Sequence, residues 1–180
     1  MTKTLLVSEK YIKQHSNLDD NVWGDYLLPA IREAQNIGLQ SILGSCLYNA
    51  LIEKVENGLI TDIENAAYKT LLDDYVQDYM MYQTITDLVP IIGVKLANLG
   101  TAVSNDVHIE NLSEDERSRL KTYYQYRADF YCKRMQEFLL ENKDAFNELD
   151  ECQCSKLKAN LNSAASVGLW LGGLRSRKFF

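Results

Sequence analysis

The chain is 180 residues long, 46 % hydrophobic and carries a net charge of −6, enough for one domain with a real core and little more. An acidic balance argues against a general nucleic-acid binder, which needs a basic excess to neutralise phosphates. No opening apolar stretch is long enough for export and no later run approaches a membrane span, so a protein that stays where it is made is expected, without a membrane partner.

The charge is unevenly spread. From Ser155 onward there is no Asp or Glu, and Lys156, Lys158, Arg175, Arg177 and Lys178 give +5, which leaves −11 on everything before them. Residues 1–154 therefore read as an acidic helical domain and residues 155–180 as a separate basic tail.

Only two prolines and nine glycines punctuate the chain, and apolar residues recur at three- and four-residue spacing. The expectation is a mainly α protein, a helical bundle with a small β-hairpin and an extended C-terminal tail. In chain order, residues 4–7 suit a short strand and Ser8 caps a brief helix to Gln14. Asp19, Asp20 and Asn21 open a second helix, which Pro29 is expected to kink or restart. Gly44 separates it from a helix over 45–56, closed by Asn57 and a left-handed Gly58.

Thr61 with Glu64, and Ser113 with Glu116, both fit a capping box, in which the first side chain takes an amide three residues on and the Glu reaches back. They predict the two longest helices. One carries Ala67, Leu71, Leu72, Tyr75, Tyr79, Tyr82 and Ile85 and ends near Pro90; the other, 114–142, carries Leu120, Tyr124, Ala128, Tyr131, Met135 and Phe138. Both stripes are wide enough for a bundle core. Between them residues 101–109 alternate around Ser104, Asn105 and Asp106, which predicts a hairpin whose tip and His108 are candidate contact residues. Phe146 and Leu149 anchor the polar stretch that follows.

Chemistry is sparse. Asp73, Asp74 and Asp78 lie on neighbouring turns and suggest an Mg²⁺-dependent enzyme, but no second acidic cluster accompanies them, and carboxylates on a wet helix face explain them. No phosphate-cradling glycine loop, G-x-S-x-G or H-E-x-x-H string occurs. The reading is a non-enzyme without cofactor or metal. Cys152 and Cys154 are spaced C-x-C, yet His15 and His108 stand apart, so all four cysteines, Cys46 and Cys132 included, are expected as thiols. The eleven tyrosines fall mostly on the helix stripes, as core or subunit-contact residues.

The string Ile31-Arg32-Glu33-Ala34-Gln35, then Leu39, Ile42-Leu43-Gly44 and Leu47-Tyr48-Asn49-Ala50-Leu51, resembles the opening of head-tail connector (adaptor) proteins of tailed bacteriophages. Lys95-Leu96-Ala97-Asn98-Leu99-Gly100, Ala102-Val103, Leu112-Ser113-Glu114, Tyr123-Tyr124, Ala128, Tyr131, Phe138-Leu139, Asn142 and Phe146 are similar to the portal-proximal ring proteins of crAss-like phages. The resemblance covers about residues 5–149. It implies a structural virion protein at the head-tail junction, assembled in the host bacterial cytoplasm and repeated around a ring, commonly as a dodecamer. The implied partners are the portal protein, neighbouring copies, another connector or tail protein, and genomic DNA passing through the channel without sequence-specific binding. A non-viral cytoplasmic helical adaptor or regulator is the alternative.

The tail is read as a docking peptide. Leu169, Trp170, Leu174, Phe179 and Phe180 would fill partner pockets while Arg175, Arg177 and Lys178 meet acidic groups. Burying such side chains yields about 1.5–3 kcal/mol each, whereas fixing each backbone unit costs about 1–2 kcal/mol, so a thirteen-residue end with six large apolar groups gains order only with a partner's help. The competing expectation packs residues 161–174 as a last helix on the chain's own domain.

Overall fold

The computed structural model describes residues 4–18, 24–91, 94–97, 100–103, 113–149 and 157–161. The chain is mainly α. Helix α1 spans Glu9–His15, α2 Gly24–Glu33, α3 Gln40–Glu56, α4 Ala66–Leu71, α5 Gln77–Leu88 and α6 Glu114–Glu141. Strands β1 (Val94–Ala97) and β2 (Gly100–Val103) pair antiparallel, with Val94 opposite Val103 and Ala97 opposite Gly100.

The core is one contiguous cluster. It joins Leu6, Val7 and Ile12 from the N-terminal segment, Leu27, Ile31, Leu43, Leu47 and Leu51 from α2 and α3, Leu71 through Val89 from the α4–α5 run, and Met135, Leu139 and Phe146 from the last third. Helix α5 is its axis, packing against both α2 and α6. A single stripe cannot serve two neighbours, and α5 buries residues on more than one face: Tyr79, Met80, Met81, Thr84, Ile85 and Leu88. Two π-helical turns, Ala34–Leu39 and Leu72–Val76, join α2 to α3 and α4 to α5. Each such turn holds one residue more than an α turn and rotates the apolar set that follows, which a strict 3.6-residue reading does not anticipate.

The α5–α6 seam is antiparallel and aromatic. Tyr75 stacks on Phe138 with ring centroids 4.4 Å apart, and Tyr82 stacks on Tyr131 at 5.2 Å. The two pairs lie seven residues apart on each side of the seam, Tyr75 in the π-helical turn that leads into α5 and Tyr82 on α5 itself, the spacing that keeps two helices in register. Phe146 then closes the end of the seam, edge-on to Tyr68 at 5.1 Å, while the Tyr68 hydroxyl donates to the Glu148 carboxylate. Burial and that carboxylate together hold the Tyr68 hydroxyl well above the usual phenol range.

Ser8 caps α1, its hydroxyl accepting from the Tyr11 amide at 3.1 Å. Ser113 and Glu116 form the expected capping box, and the Ser113 contacts hold the Glu116 carboxyl below its ordinary value. Gly58 takes the left-handed conformation (φ 70°, ψ 10°) after α3.

Several expectations are corrected. The box at Thr61 and Glu64 does not form: residues around it make two 3₁₀ turns, Asp62 is extended, and α4 starts only at Ala66. Asn65 decides this locally by donating from its side chain to the Leu59 carbonyl while accepting from Lys54. Pro29 does not restart α2, which runs through it to Glu33. Residues 4–7 form no strand and pair with none among the described residues; the Gln35 side chain takes the Leu6 amide and the Thr4 carbonyl instead. The antiparallel ladder lies one strand earlier than expected, so Thr101 is in its second strand and not its first. The expected tip (Ser104, Asn105, Asp106) and His108 lie outside the described residues, as do Asp19, Asp20 and Asn21.

Candidate interaction surfaces

Three surface features stand out from the packed body. The first is the exposed half of α6. Its first ten residues lie almost wholly in solvent, and packing begins only around Tyr124 and Ala128. Tyr123, Tyr126 and Phe130, at i, i+3 and i+7, share one face. Tyr126 is 74 % and Phe130 54 % exposed, whereas their neighbours Tyr124 and Tyr131 turn inward. Arg127 lies over the Tyr123 ring at 3.5 Å, so a cation and three aromatic rings form one amphipathic patch. Large exposed rings of this kind are typical of contact surfaces between proteins.

The second is an amide-lined hollow of about 310 Å³ among Gln35, Asn36, Gln40, Tyr48 and Asn49. Gln35 is buried and both its donor hydrogens are used: its oxygen accepts from the Leu6 amide at 3.0 Å, and its nitrogen donates to the Thr4 carbonyl and the Tyr48 hydroxyl, both at 3.0 Å. The Tyr48 hydroxyl donates in turn to the Asn36 side-chain oxygen at 3.2 Å. A carboxamide presents the same donor and acceptor as a peptide group, so Gln35 acts as a one-residue strand for the N-terminal segment.

The third is a notch in α3 at Gly44. Its backbone (φ 72°, ψ 162°) is outside the helical region and in one that essentially only glycine adopts. The break exposes main-chain groups that residues 157–161 satisfy: the Ser45 amide donates to the Leu157 carbonyl at 2.8 Å, and the Asn160 amide donates to the Ile42 carbonyl at 2.9 Å. From α6, the buried Gln136 side chain donates to the Asn160 carbonyl at 2.6 Å. Leu161 packs on the core. Five residues of the stretch read as tail are thus strapped to the body. Two residues past the notch, Cys46 is disulfide-bonded, which corrects the expectation of four thiols; a count of cysteines carries no information about which ones the fold brings together.

The remaining candidates divide simply. Asp73 is engaged by Lys69 one turn back and accepts from Gln77 at 3.4 Å, and Asp74 is exposed. Asp78 is half-buried, which raises its carboxyl, while Arg134 nearby opposes the rise. Among the described residues no group of three or more His, Cys, Asp or Glu is arranged to hold a metal ion. Leu169, Trp170, Leu174, Arg175, Arg177, Lys178, Phe179 and Phe180 lie outside the described residues, as do Cys152 and Cys154. Sequence reasoning missed the strap altogether, and Gln136, a lone amide among apolar positions on the inner face of α6, was the available signal.

A helical body with an outward aromatic patch and a backbone-bonded strap defines a small mainly α protein. The chain belongs to a family of unknown function (DUF6712), which matches residues 39–159 and so takes in the notch, α5, α6 and the start of the strap. No curated protein and no solved structure matches it. Among the described residues no helix is long and apolar enough to cross a membrane.

Proposed function

We propose that this chain is a structural subunit of a bacteriophage head-tail junction, repeated around a ring that docks on the portal protein, links it to the next ring or tail component and lets the genome pass through its channel. Its role is contact and not catalysis, and it works in the virion after assembly in the bacterial cytoplasm. The observation that carries this reading is the Tyr123, Tyr126 and Phe130 face of α6, kept in solvent on an otherwise well-packed body. A closed ring needs two different surfaces on each subunit. Exposed Ile37 (66 %) and Ile63 (95 %), on other elements than α6, supply apolar points for a second one.

Mixing the purified chain with portal protein and imaging by negative stain should give ring-shaped assemblies. Replacing Tyr126 and Phe130 together by Ala should abolish the rings while leaving helicity and thermal unfolding of the isolated subunit unchanged. A wild-type chain that stays monomeric at high concentration with portal present overturns the proposal and favours a non-viral adaptor.

A further inference from the structure

The exposed face of α6 carries charge as well as rings. At 3.6 residues per turn, a spacing of seven puts Arg119, Tyr126 and Lys133 in one row along the helix, with Tyr123 and Phe130 in the row beside it. All five are exposed, and Arg127 adds a third cation over the Tyr123 ring. Of the acids nearby, Glu116 is held by the Ser113 cap, Asp129 accepts from Gln125, and Glu137 comes only a turn beyond Lys133. Rings bordered by cations select a partner that offers a large apolar group beside carboxylates.

The chain itself carries such a group. Ile63 is 95 % exposed in the 3₁₀ turn ahead of α4, and its sequence neighbours Asp62 and Glu64 are exposed carboxylates. Neither is in an ion pair among the described residues. Asn65 fixes the turn, donating to the Leu59 carbonyl and accepting from Lys54, both at 2.9 Å. A side chain displayed on a fixed turn loses little freedom when it docks. Ile37, exposed as well, sits between Asn36 and Gly38 and brings no charge beside it.

The two patches do not meet within one chain. Tyr68, five residues past Ile63, packs on Phe146 at one end of the seam, whereas Tyr123 and Tyr126 lie beyond the Tyr82–Tyr131 pair toward the other end. Both patches stay in solvent on the same molecule.

We infer that the α6 face receives the Ile63 turn of a second copy of this chain, with Ile63 resting on the Tyr126 and Phe130 rings while Asp62 and Glu64 meet Arg119, Arg127 and Lys133. The inference rests on the reading of the chain as a repeated subunit and names the partner of its aromatic face. Each copy gives with one surface and receives with another, so the contact is heterologous and continues from copy to copy until a ring closes. A single contact of this kind is small; closure lets every copy hold two neighbours at once.

The test uses the full chain, alone and with portal protein. Sedimentation of the chain alone should show mass rising with concentration, and added salt should weaken the rise. Asp62→Lys with Glu64→Lys should weaken association at least about tenfold, and adding Arg119→Glu with Lys133→Glu to the same chain should restore it. Ile63→Ala, and Tyr126→Ala with Phe130→Ala, should each stop growth. Mixing those two variants should give one-to-one pairs that grow no further, because one intact contact remains between them. The substituted side chains are exposed, so circular dichroism of each variant should match the wild type. A chain monomeric in both settings, a reversal without effect, failure of the compensating pair to restore association, or mixed variants that do not pair would each overturn the inference. Self-association through these residues without rings on portal keeps the inference and removes the assembly reading; rings on portal that survive the reversal do the opposite.

Discussion

The α5–α6 seam and the Gly44 notch both join segments far apart in the chain, by opposite means. The seam is made of side chains: stacked rings, Met135 and Leu139 against α5, with each helix satisfying its own backbone. The notch is made of backbone, with Ile42 and Ser45 reaching to Asn160 and Leu157 across a gap that the absent Cβ of Gly44 keeps open. A side-chain interface degrades gradually, because one apolar group replaces another at the cost of the volume mismatch. A backbone interface tolerates many side chains on the strap but almost none at the glycine. The difference teaches where each region is fragile: the seam in its volume, the notch in a single torsion pair.

Four substitutions sharpen that contrast. Leu139→Ala, fully buried at the seam, should lower the unfolding free energy by about 2–5 kcal/mol, read by urea denaturation. Gly44→Ala should cost less globally, about 1–3 kcal/mol from the forced torsion, but should expose the Asn160 amide to exchange, which Leu139→Ala should not do at equal stability. Ser113→Ala removes the cap of α6 and should cost about 1 kcal/mol, with faster exchange confined to the first turn and no change at the seam or the notch.

The smallest effect belongs to Asp87 on α5. Burial raises its carboxyl to about 6; nearby Glu33 adds to the rise, whereas the Gln83 hydrogen bond at 2.9 Å and Lys121 oppose it. The folded chain then holds this proton more tightly than the unfolded chain does. Its contribution to stability is fully present below the ordinary carboxyl range and is lost as pH rises through about 6. Asp87→Asn should gain up to about 1 kcal/mol at pH 7.5 after allowing for solvent screening and nothing at pH 4, measured by denaturation at the two pH values. An equal gain at both would remove the titration as its cause.

Features written in side-chain chemistry were legible beforehand. Ser113 with Glu116, the left-handed Gly58, the Gly44 discontinuity and the anchoring by Phe146 all follow from local residue type. The same logic failed where two local preferences competed, as at Thr61, whose box lost to the hydrogen bonds of Asn65. It failed again at the π turns, which leave residue types unchanged and alter only their phase. The strap was illegible for a more basic reason. Main-chain pairing uses groups that every residue carries, so residues 157–161 show no pattern that names Gly44 as their partner. Gln35 is the intermediate case: a buried amide is visible as an oddity, but not which backbone it serves.

Helix α6 has a mechanical side. Twenty-eight residues at 1.5 Å rise make a rod of about 42 Å, clamped at its carboxyl half and unsupported over its first ten residues. The free arm runs from Glu114 to a fulcrum near Ala128, so Tyr123 and Tyr126 stand close to the fulcrum and the tip of the arm is the capped end at Ser113. A load at that tip would act as torque on the buried Met135 and Leu139, and the Gln136 hydrogen bond to the Asn160 carbonyl is the contact through which it would reach the notch.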